Sequence, residues 1–414
     1  MSIRSNRERF GLIGRPLGHS FSPAIHKKLG GYEYELIELE ARELEPFLRE
    51  GDFRGLNVTI PYKIEAARYC DELTEAARHV GCVNTVLRRP DGRLLGHNTD
   101  YDGFLWLLRD AGVEVQGKRA VVLGTGGASL TVQAALRDMG AAELAVISRH
   151  GEDNYQNLRR HSSADILVNA TPVGMYPDNV VSPVELTDFE NLSAVLDVIY
   201  NPARTKLLLD AESLGIPCAG GLGMLVAQAR AASELFTGHS IEDGLVRQIR
   251  DEISRQTKNI LLIGMPGSGK TTVGQRLAEL TGREFFDCDA LIARRTGCSI
   301  EDIFRDGGEE RFRELEHETL AELTRRSGSV IAAGGGAVTR ENNRSLLRQN
   351  STVLWLKREL DQLSTEGRPL SRAGELETMY RQRRGLYESL ADAVSENRGS
   401  VEDAARAALE VLGL

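Results

Sequence analysis

The sequence contains no apolar run that approaches the roughly 20 residues a helix needs to cross a bilayer, so we do not expect an integral membrane protein. The N-terminal stretch also lacks the apolar core of a secretory signal, which predicts that the chain is not exported. Charged residues make up 27% and hydrophobic residues 41% of the chain, a balance typical of a folded rather than a disordered protein.

Cysteine, basic charge and aromatic residues are each in short supply. The five cysteines form no CxxC pair, which argues against a disulfide framework or a cysteine zinc site and favours a reducing cytoplasm. Lys+Arg total 51 against 60 for Asp+Glu, the net charge is −9, and aromatic residues make up only 6%. We therefore expect neither a nucleic-acid nor a membrane partner, and we leave the oligomeric state open, a homodimer included.

The length of 414 residues is two to three times the usual size of a domain, about 150 residues, so at least two domains are expected. Short apolar runs alternate with helical periodicity along the whole chain, which predicts an α/β fold with parallel sheets. A soft boundary lies near residues 110–118, and a polar stretch at 250–258 reads as a linker. These boundaries predict three units: 1–110, 111–254 and 255–414.

The strongest motif lies in the third unit, where GMPGSGKT at residues 264–271 matches GxxxxGK[ST] between a strand and a helix. Glycines let backbone N–H groups surround a phosphate, and the helix N-terminus adds a favourable dipole. By this motif, Lys270 reaches the β- and γ-phosphates and the Thr271 hydroxyl ligates Mg²⁺. An ordinary glycine turn is the alternative, but the flanking strand and helix both favour the phosphate loop.

Further polar signals follow the phosphate loop. Asp287 and Asp289 close a run, GREFFDCDALI, which we interpret as a second strand with both carboxylates on one face. Arg313 and Glu316 are three residues apart on a predicted helix, so the acid can orient the guanidinium. The glycine triplet 334–336 ends another strand. Each signal alone also fits a solvated helix face or a flexible turn.

In this order and spacing, together with GRPL at 367–370 and RRGLY at 383–387, the motifs of residues 259–400 resemble shikimate kinase. The resemblance implies ATP- and Mg²⁺-dependent phosphorylation of the shikimate 3-hydroxyl, with Asp287 acting on Mg²⁺ and Glu316 supporting Arg313. It implies that Asp289 holds the ring hydroxyls and orients or accepts the attacking proton. The short stretch before Arg368 predicts an abbreviated lid. The ATP-binding residues that it implies are Gly264, Gly267, Ser268, Gly269, Lys270, Thr271, Thr272 and Arg368. The implied shikimate-binding residues are Asp289, Arg313, Gly335, Gly336 and Arg383.

A second glycine-rich loop, GTGGAS at residues 124–129, follows a strand and opens a helix in the middle unit. It departs from GxGxxG because Ser129 stands at the third glycine position. The next strand ends at Ser148 and Arg149, where an arginine suits the 2′-phosphate of NADP better than the ribose hydroxyl of NAD. Only about 15 residues separate Arg149 from the following strand, so the helix between them should be short or missing.

The first unit carries scattered polar motifs: GHSFSP at 18–23, NVTIPYK at 57–63, GCVNT at 81–85 and NTD at 98–100. Separately, these residues also read as a helix cap, turn formers and a surface lysine. Together with NATPVGM at 169–175, DVIYNP at 197–202 and GLGMLVAQ at 221–228, they closely resemble shikimate dehydrogenase over about 8–240.

That resemblance implies reduction of 3-dehydroshikimate to shikimate by NADPH, with Lys63 and Asp100 as the catalytic pair. It also implies that a C-terminal helix near 225–254 completes the substrate-binding domain at 1–110. The shikimate-binding residues implied are Ser20, Ser22, Thr59, Lys63, Asn84, Asp100, Tyr200 and Gln228. The implied NADP-binding residues are Gly124, Gly126, Gly127, Ala128, Ser148, Arg149 and Gly221.

The product of the first implied reaction is the substrate of the second. The sequence therefore predicts one chain that performs two consecutive steps toward chorismate and the aromatic amino acids. Two alternatives are a quinate-active dehydrogenase that uses NAD, and a non-catalytic regulator that keeps the binding pocket. The presence of Lys63, Asp100 and Lys270 argues against the regulator.

Overall fold

A computed structural model of the chain describes residues 9–18, 20–363 and 373–414, with residues 373–375 described by their backbone alone. These residues divide into two compact units. The first holds the chain up to Met175, Val181–Tyr200 and Asp210–Glu252, and the second holds Tyr176–Val180, Asn201–Leu209 and everything from Ile253 onward. Strands and helices alternate in both units, which confirms the predicted α/β class.

The first sheet of unit one is mixed. Its strands are β1 (Phe10–Gly14), β2 (Tyr34–Glu38), β3 (Gly55–Val58), β4 (Glu72–Leu73), β5 (Thr85–Arg88) and β6 (Leu94–His97). They pair in the order β2-β1-β3-β5-β6-β4. Strand β1 runs parallel to β2 and β3, whereas β5 is antiparallel to β3 and β6. Because β1 and β3 are parallel neighbours, the loops that follow them leave the sheet at the same edge.

Helices cover this sheet through apolar positions that recur every three or four residues. They are α1 (Ser22–Gly30), α2 (Ala41–Glu50), α3 (Lys63–Arg68) and α4 (Glu75–Val80), whereas α5 (Thr99–Asp110), which follows β6, joins a separate core of unit one. In α2, for example, Leu44 and Leu48 are fully buried in the same cluster as Leu56 of β3. Burial of each such side chain contributes about 1.5–3 kcal/mol.

The second sheet of unit one is parallel throughout. Its strands are β7 (Arg119–Leu123), β8 (Glu143–Ile147), β9 (Ile166–Asn169), β10 (Ala194–Asp197) and β11 (Cys218–Gly220), in the order β11-β10-β9-β7-β8. The helices of this part of the chain are α6 (Gly127–Asp138), α7 (Lys206–Ser213), α8 (Leu222–Thr237) and α9 (Asp243–Thr257). Strand β7 lies between β8 and β9, so the chain leaves it at the point where the strand order reverses, which is where such sheets bind ligands.

Unit two contains a third sheet, also parallel. Its strands are β12 (Asn259–Ile263), β13 (Phe285–Asp287), β14 (Val330–Ala332), β15 (Ser351–Lys357) and β16 (Ala393–Glu396), in the order β13-β14-β12-β15-β16. Its helices are α10 (Lys270–Thr281), α11 (Cys288–Thr296), α12 (Ile300–Leu323), α13 (Glu341–Gln349), α14 (Ala373–Leu390) and α15 (Val401–Leu412).

Both faces of the third sheet are buried. Along β12, Leu261 and Ile263 join a core with residues of α11 to α14, whereas Ile260 and Leu262 join a second core with residues of α10 and α15. Successive strand residues point to opposite faces, so a strand covered on both sides must be apolar at every position. This is why residues 260–263 of β12, ILLI, are apolar at every position and do not alternate with polar residues.

The structure corrects one local prediction and agrees with another. The stretch at 250–258, interpreted as a polar linker, is largely helical because it continues α9, whose Val246, Ile249 and Ile253 are buried. Between β8 and β9 the chain forms only a short 3₁₀ turn at Leu158–His161, which agrees with the expected loss of a helix. Among the described residues, no helix combines the length and apolar character required to cross a membrane.

Candidate active sites

Lys63 and Asp100 form an ion pair in unit one. Lys63 opens α3 just after β3, and its Nζ donates to Oδ2 of Asp100 at 2.5 Å. Asp100 lies in the first turn of α5, which Asn98 caps by accepting from the backbone N–H of Tyr101. The side chains are only 17% and 10% exposed, so this is a partly desolvated pair at the N-terminal ends of two helices. Such a pair holds an ammonium proton at a fixed position.

A buried polar network is centred on Thr99, the residue before Asp100. Asn84 accepts through Oδ1 from the backbone N–H of Thr99 at 2.6 Å, and its Nδ2 donates to Oγ1 of Thr99 at 3.0 Å. The same Nδ2 lies 3.3 Å from Oε1 of Gln228 on α8. Asn84 and Gln228, both predicted to bind ring hydroxyls, are therefore adjacent. Thr99 was not predicted as a site residue, although it precedes Asp100 and fixes the start of α5.

The residues predicted to bind the substrate carboxylate lie on loops after β1, β3 and β10. Ser20 accepts through its hydroxyl from the N–H of Ser22, and Ser22 begins α1 and is buried. Between them, the Phe21 ring packs against Tyr200 with centroids 5.5 Å apart. Thr59 follows β3, and its N–H donates to Ile13 of β1 at 2.9 Å. Burial raises the pKa of Tyr200, so its hydroxyl stays a neutral hydrogen-bond group.

The glycine-rich loop after β7 is held closed by the residue that departs from the motif. Gly124 has φ 102°, a conformation that favours glycine. The Ser129 hydroxyl donates to the Gly124 carbonyl oxygen at 2.6 Å, and Nε2 of Gln133 donates to the Ser129 hydroxyl at 3.0 Å. Gly126 faces open space, because a Cβ built there would meet no atom within 4 Å. The loop thus leaves room for a ligand at Gly126.

Gly127 of this loop and Gly221, which precedes α8, both pack closely against other parts of unit one. A Cβ built on Gly127 would lie 3.4 Å from Cδ of Lys63, so the first turn of α6 touches the lysine of the ion pair. A Cβ on Gly221, which precedes α8, would lie 2.1 Å from the carbonyl oxygen of Val198, and only glycine fits there. Arg149 is exposed and follows β8, the neighbour of β7. The glycine loop, Arg149 and the ion pair therefore belong to one unit.

The phosphate loop of unit two has the expected backbone. Gly264, Gly267 and Gly269 all have positive φ, at 148°, 84° and 94°. Nζ of Lys270 donates to the carbonyl oxygens of Gly264 at 2.9 Å and Met265 at 3.0 Å, so the lysine folds back over the loop. The Ser268 hydroxyl is buried and has no hydrogen-bond partner within the described residues. Thr272 donates to the Gly269 carbonyl at 3.1 Å.

The carboxylates of Asp287 and Asp289 do not share one face of a strand, which corrects that prediction. Strand β13 ends at Asp287, whose side chain accepts from the N–H of Ala290 and caps α11, so the chain is helical from Cys288. Oδ2 of Asp287 accepts from the Thr271 hydroxyl at 2.6 Å. Asp289 instead turns toward the glycine triplet, where a Cβ on Gly334 would lie 2.9 Å from its Oδ1.

The glycine triplet gathers the remaining predicted groups of unit two. Nη1 of Arg383 and the Tyr387 hydroxyl both donate to the Gly335 carbonyl oxygen, at 3.0 and 2.7 Å. A Cβ on Gly336 would lie 2.3 Å from Nη2 of Arg313. The two arginines and Asp289 therefore converge on one turn. Arg368, the predicted lid arginine, and the abbreviated lid lie outside the described residues.

Arg313 pairs with a buried carboxylate of its own helix. Its Nη1 donates to Oε2 of Glu316 at 2.8 Å, and Glu316 is fully buried. Burial raises the pKa of Glu316, and the adjacent guanidinium opposes that shift. The other oxygen of Glu316, Oε1, has no hydrogen-bond partner in the part of the chain that the structure describes. It lies 2.3 Å from the position that a Gly334 Cβ would occupy, so it faces the glycine triplet.

Sequence reasoning missed Asn397, which follows β16. Its Nδ2 donates to the carbonyl oxygen of Ser268 at 2.7 Å, and a Cβ on Gly269 would meet the same Nδ2 at 2.6 Å. Because Asn397 is 129 positions from Ser268, no local pattern could have indicated the contact. Within the described residues, no group of three His, Cys, Asp or Glu side chains is arranged to hold a metal ion.

These features define two classes of enzyme in one chain. Unit one has the parallel sheet, switch-point glycine loop and lysine–carboxylate pair of a dinucleotide-dependent oxidoreductase. Unit two has the phosphate loop and central strand of a phosphotransferase.

Comparison with known proteins identifies both. Residues 12–86 match the family model of the shikimate dehydrogenase substrate binding domain, and residues 266–413 match that of shikimate kinase. An NADP(+) shikimate dehydrogenase of Alkaliphilus oremlandii is 36% identical over 263 residues, which is 55% of this chain and 90% of that protein. The chain belongs to the shikimate dehydrogenase family and carries a shikimate kinase domain, which confirms both predicted resemblances and both enzyme activities.

Solved structures agree for the first part of the chain. Shikimate dehydrogenase 1 of Peptoclostridium difficile has 36% identity and a TM-score of 0.56, and covers 59% of this chain and 97% of that one. The Thermus thermophilus enzyme, solved with NADP(H) and shikimate, has 34% identity and a TM-score of 0.55, and covers 59% and 99%.

Proposed function

We propose that the chain catalyses two consecutive reactions: NADPH-dependent reduction of 3-dehydroshikimate to shikimate, then Mg²⁺- and ATP-dependent phosphorylation of shikimate to shikimate 3-phosphate. The observation that carries the first is the Lys63–Asp100 pair touching the first turn after the glycine loop. The observation that carries the second is the convergence of two arginines and Asp289 on the glycine triplet, in the same unit as a phosphate loop. Domain limits of 1–110, 111–254 and 255–414 remain part of this proposal.

In the dehydrogenase, Lys63 gives its proton to the carbonyl oxygen of the substrate, and Asp100 holds the ammonium group in place. Their 2.5 Å contact and low exposure support this division, because a desolvated pair fixes the proton without competition from water. Asp100, Asn84 and Gln228 hold ring hydroxyls, while Ser20, Ser22, Thr59 and Tyr200 receive the carboxylate. Neutral hydroxyls at the edge shared by β1 and β3 suit a carboxylate acceptor.

The cofactor of this step fits the glycine loop. NADPH supplies the hydride when it is bound. Gly126, Gly127 and Ala128 offer backbone N–H groups to its pyrophosphate, and the open space at Gly126 allows close approach. Gly124 shapes the turn instead, because its own N–H donates to the Ile147 carbonyl oxygen at 2.8 Å. Ser148 and Arg149 follow β8, where the exposed guanidinium would bind a 2′-phosphate, and Gly221 precedes α8. These residues support NADP rather than NAD.

In the kinase, Asp289 accepts the proton of the attacking hydroxyl while Arg313 and Arg383 hold the substrate carboxylate. Guanidinium groups suit this task because they donate in a planar fork. Lys270 leaves the loop carbonyls to neutralise phosphate charge, and Arg368 does the same from the lid. Mg²⁺ bound with ATP supplies charge neutralisation at the phosphates. Thr271 and Asp287, already 2.6 Å apart, would hold it, since Mg²⁺ uses one or two protein oxygens plus waters and phosphates.

Paired substitutions in the full chain test the two-site proposal. Lys63→Ala should lower NADP reduction by shikimate by roughly 10²–10⁴-fold, the usual value of acid–base assistance, and spare phosphorylation. Lys270→Ala should abolish phosphorylation and spare the dehydrogenase. Lys28→Ala is a matched control, because that lysine pairs with Glu252 at the surface of unit one. Loss of both activities in either variant, with the protein still folded, would refute the two-site proposal.

Cofactor and substrate preference need their own assay. Steady-state rates with shikimate and with quinate, each under NADP and NAD, separate the proposed enzyme from a quinate-active, NAD-dependent one. Arg149→Asp should reverse the order of the two cofactors if the 2′-phosphate site is as proposed. A cytoplasmic location is also proposed, supported by five cysteines that are all free thiols.

A further inference from the structure

Glu309 is a carboxylate that the proposed reaction does not use, yet it reaches an arginine of the substrate site. Gly308, with φ 71° and ψ −179°, interrupts α12, and Glu309 begins the helical stretch that follows. Its side chain is 62% exposed. Nevertheless, its Oε1 accepts from Nη2 of Arg313 at 3.0 Å and from Nε at 3.3 Å. A solvent-facing acid therefore holds one edge of a guanidinium that is itself only 11% exposed.

The donors of Arg313 are divided between two carboxylates. A guanidinium offers Nε and one terminal nitrogen as a side-on edge, which matches a carboxylate in bidentate fashion. Fully buried Glu316 takes Nη1, and Glu309 takes the Nε and Nη2 edge. Gly336 packs so closely that a Cβ there would lie 2.3–2.6 Å from the guanidinium atoms. Gly336 and Glu316 therefore crowd the end of the guanidinium that carries Nη1, and Glu309 occupies the side-on edge, which could otherwise receive a carboxylate ligand.

We propose that Glu309 is an internal competitor for the substrate carboxylate in the kinase site. It fills the side-on edge of Arg313 in the free enzyme, and shikimate displaces it on binding. This inference rests on the proposed kinase function, because it assigns the carboxylate of shikimate to Arg313. Two like charges cannot share one edge favourably, so Glu309 leaves as the substrate arrives.

Glu309 and Glu316 differ in burial, and this difference determines which of them releases Arg313 when the substrate binds. Glu316 is fully buried, and breaking its contact would leave an unpaired charge out of water. Glu309 can rotate into solvent and be hydrated. An exposed ion pair is weak, so the competition tunes the KM for shikimate by about two- to fivefold rather than blocking the site. The glutamate also keeps the guanidinium in position before substrate binds.

Steady-state phosphorylation by the full chain tests this proposal, because the KM for shikimate at saturating ATP reports on the kinase site alone. Glu309→Gln and Glu309→Asp should each lower the KM for shikimate about two- to fivefold and leave the KM for ATP unchanged. The aspartate keeps the charge at the helix start but withdraws it from Arg313. Glu310→Gln is the matched control, because Glu310 is 76% exposed and pairs with Arg340 instead.

Each outcome has a distinct meaning. An unchanged or higher KM for shikimate in both Glu309 variants would overturn the competition. A lower KM in Glu309→Gln, with Glu309→Asp like the wild type, would reduce the effect to general charge and also overturn it. A comparable drop in Glu310→Gln would do the same. Absence of shikimate phosphorylation by the wild-type chain would instead refute the proposed function.

Discussion

Replacing Ser129 by glycine would complete the GxGxxG pattern of the dinucleotide loop, yet we expect the variant to be less stable and to bind NADPH more weakly. Ser129 is fully buried in the first turn of α6, and its hydroxyl donates to Gly124 and accepts from Gln133. The serine side chain closes the loop through these two hydrogen bonds, and a glycine at this position has no side chain to form them.

The expected loss follows from these two hydrogen bonds. Removing the hydroxyl forfeits about 0.5–1.5 kcal/mol for the bond to Gly124. It also leaves Nε2 of Gln133, a residue 8% exposed, without that acceptor, at a similar cost. Ser129→Ala should therefore lose about 2 kcal/mol, and Ser129→Gly up to about 1 kcal/mol more for the added backbone freedom. For a unit of this size, 2 kcal/mol lowers Tm by roughly 4–8 °C.

The assay pairs thermal unfolding with the KM for NADPH. If about 1 kcal/mol of the loss falls on the loop, the KM rises about fivefold. Thr131→Val is the control, because its buried hydroxyl donates to Gly127 within the same helix and does not tie the loop to β7. It should leave the KM for NADPH unchanged and lower Tm less than Ser129→Gly does, because it loses one hydrogen bond instead of two. A Ser129→Gly enzyme as stable as the wild type, with an unchanged KM, would refute the reasoning.

Three other predictions follow from single contacts. Burial lowers the pKa of His26 from its ordinary value of 6.5 to about 3, so the imidazole is neutral in the folded chain. Because the unfolded chain takes up a proton there below pH 6.5, the folded state loses up to about 1.4 kcal/mol of stability per pH unit. Tm measured from pH 7 to 5 should therefore fall less steeply in His26→Gln than in the wild type. Gly336→Ala places a Cβ 2.3 Å from Arg313 and should raise the kinase KM for shikimate at least tenfold, leaving dehydrogenase kinetics unchanged. Asn397→Ala removes the donor to Ser268 and should raise the KM for ATP about tenfold; a KM within twofold of wild type would contradict that role.

Local chemistry explains what could be predicted from sequence. Each residue of GMPGSGKT acts on its immediate neighbours, so the loop conformation is encoded within one stretch, and its glycines have the positive φ values that the motif requires. Apolar runs predicted strands well where both faces are buried, as in NILLI. The same logic failed for GREFFDCDALI, because the Asp287 side chain caps a helix and ends the strand early. From the sequence pattern alone, a carboxylate in that position fits a helix cap as well as it fits a strand residue.

The sequence by itself determined the α/β class and the two glycine loops, and it proposed Lys63, Asp100 and the arginines as site residues. Tertiary structure alone decided which groups meet, because those contacts join distant positions. Lys63 and Asp100 are 37 residues apart, and Asn84 and Gln228 are 144 apart. Strand order brings such residues to one edge of a sheet, and burial then sets their charge and hydrogen bonding. The contact of Glu309 with Arg313 shows the limit of pattern: the four-residue spacing permits it, but only the packed structure shows that it takes the Nε–Nη2 edge beside the glycine triplet.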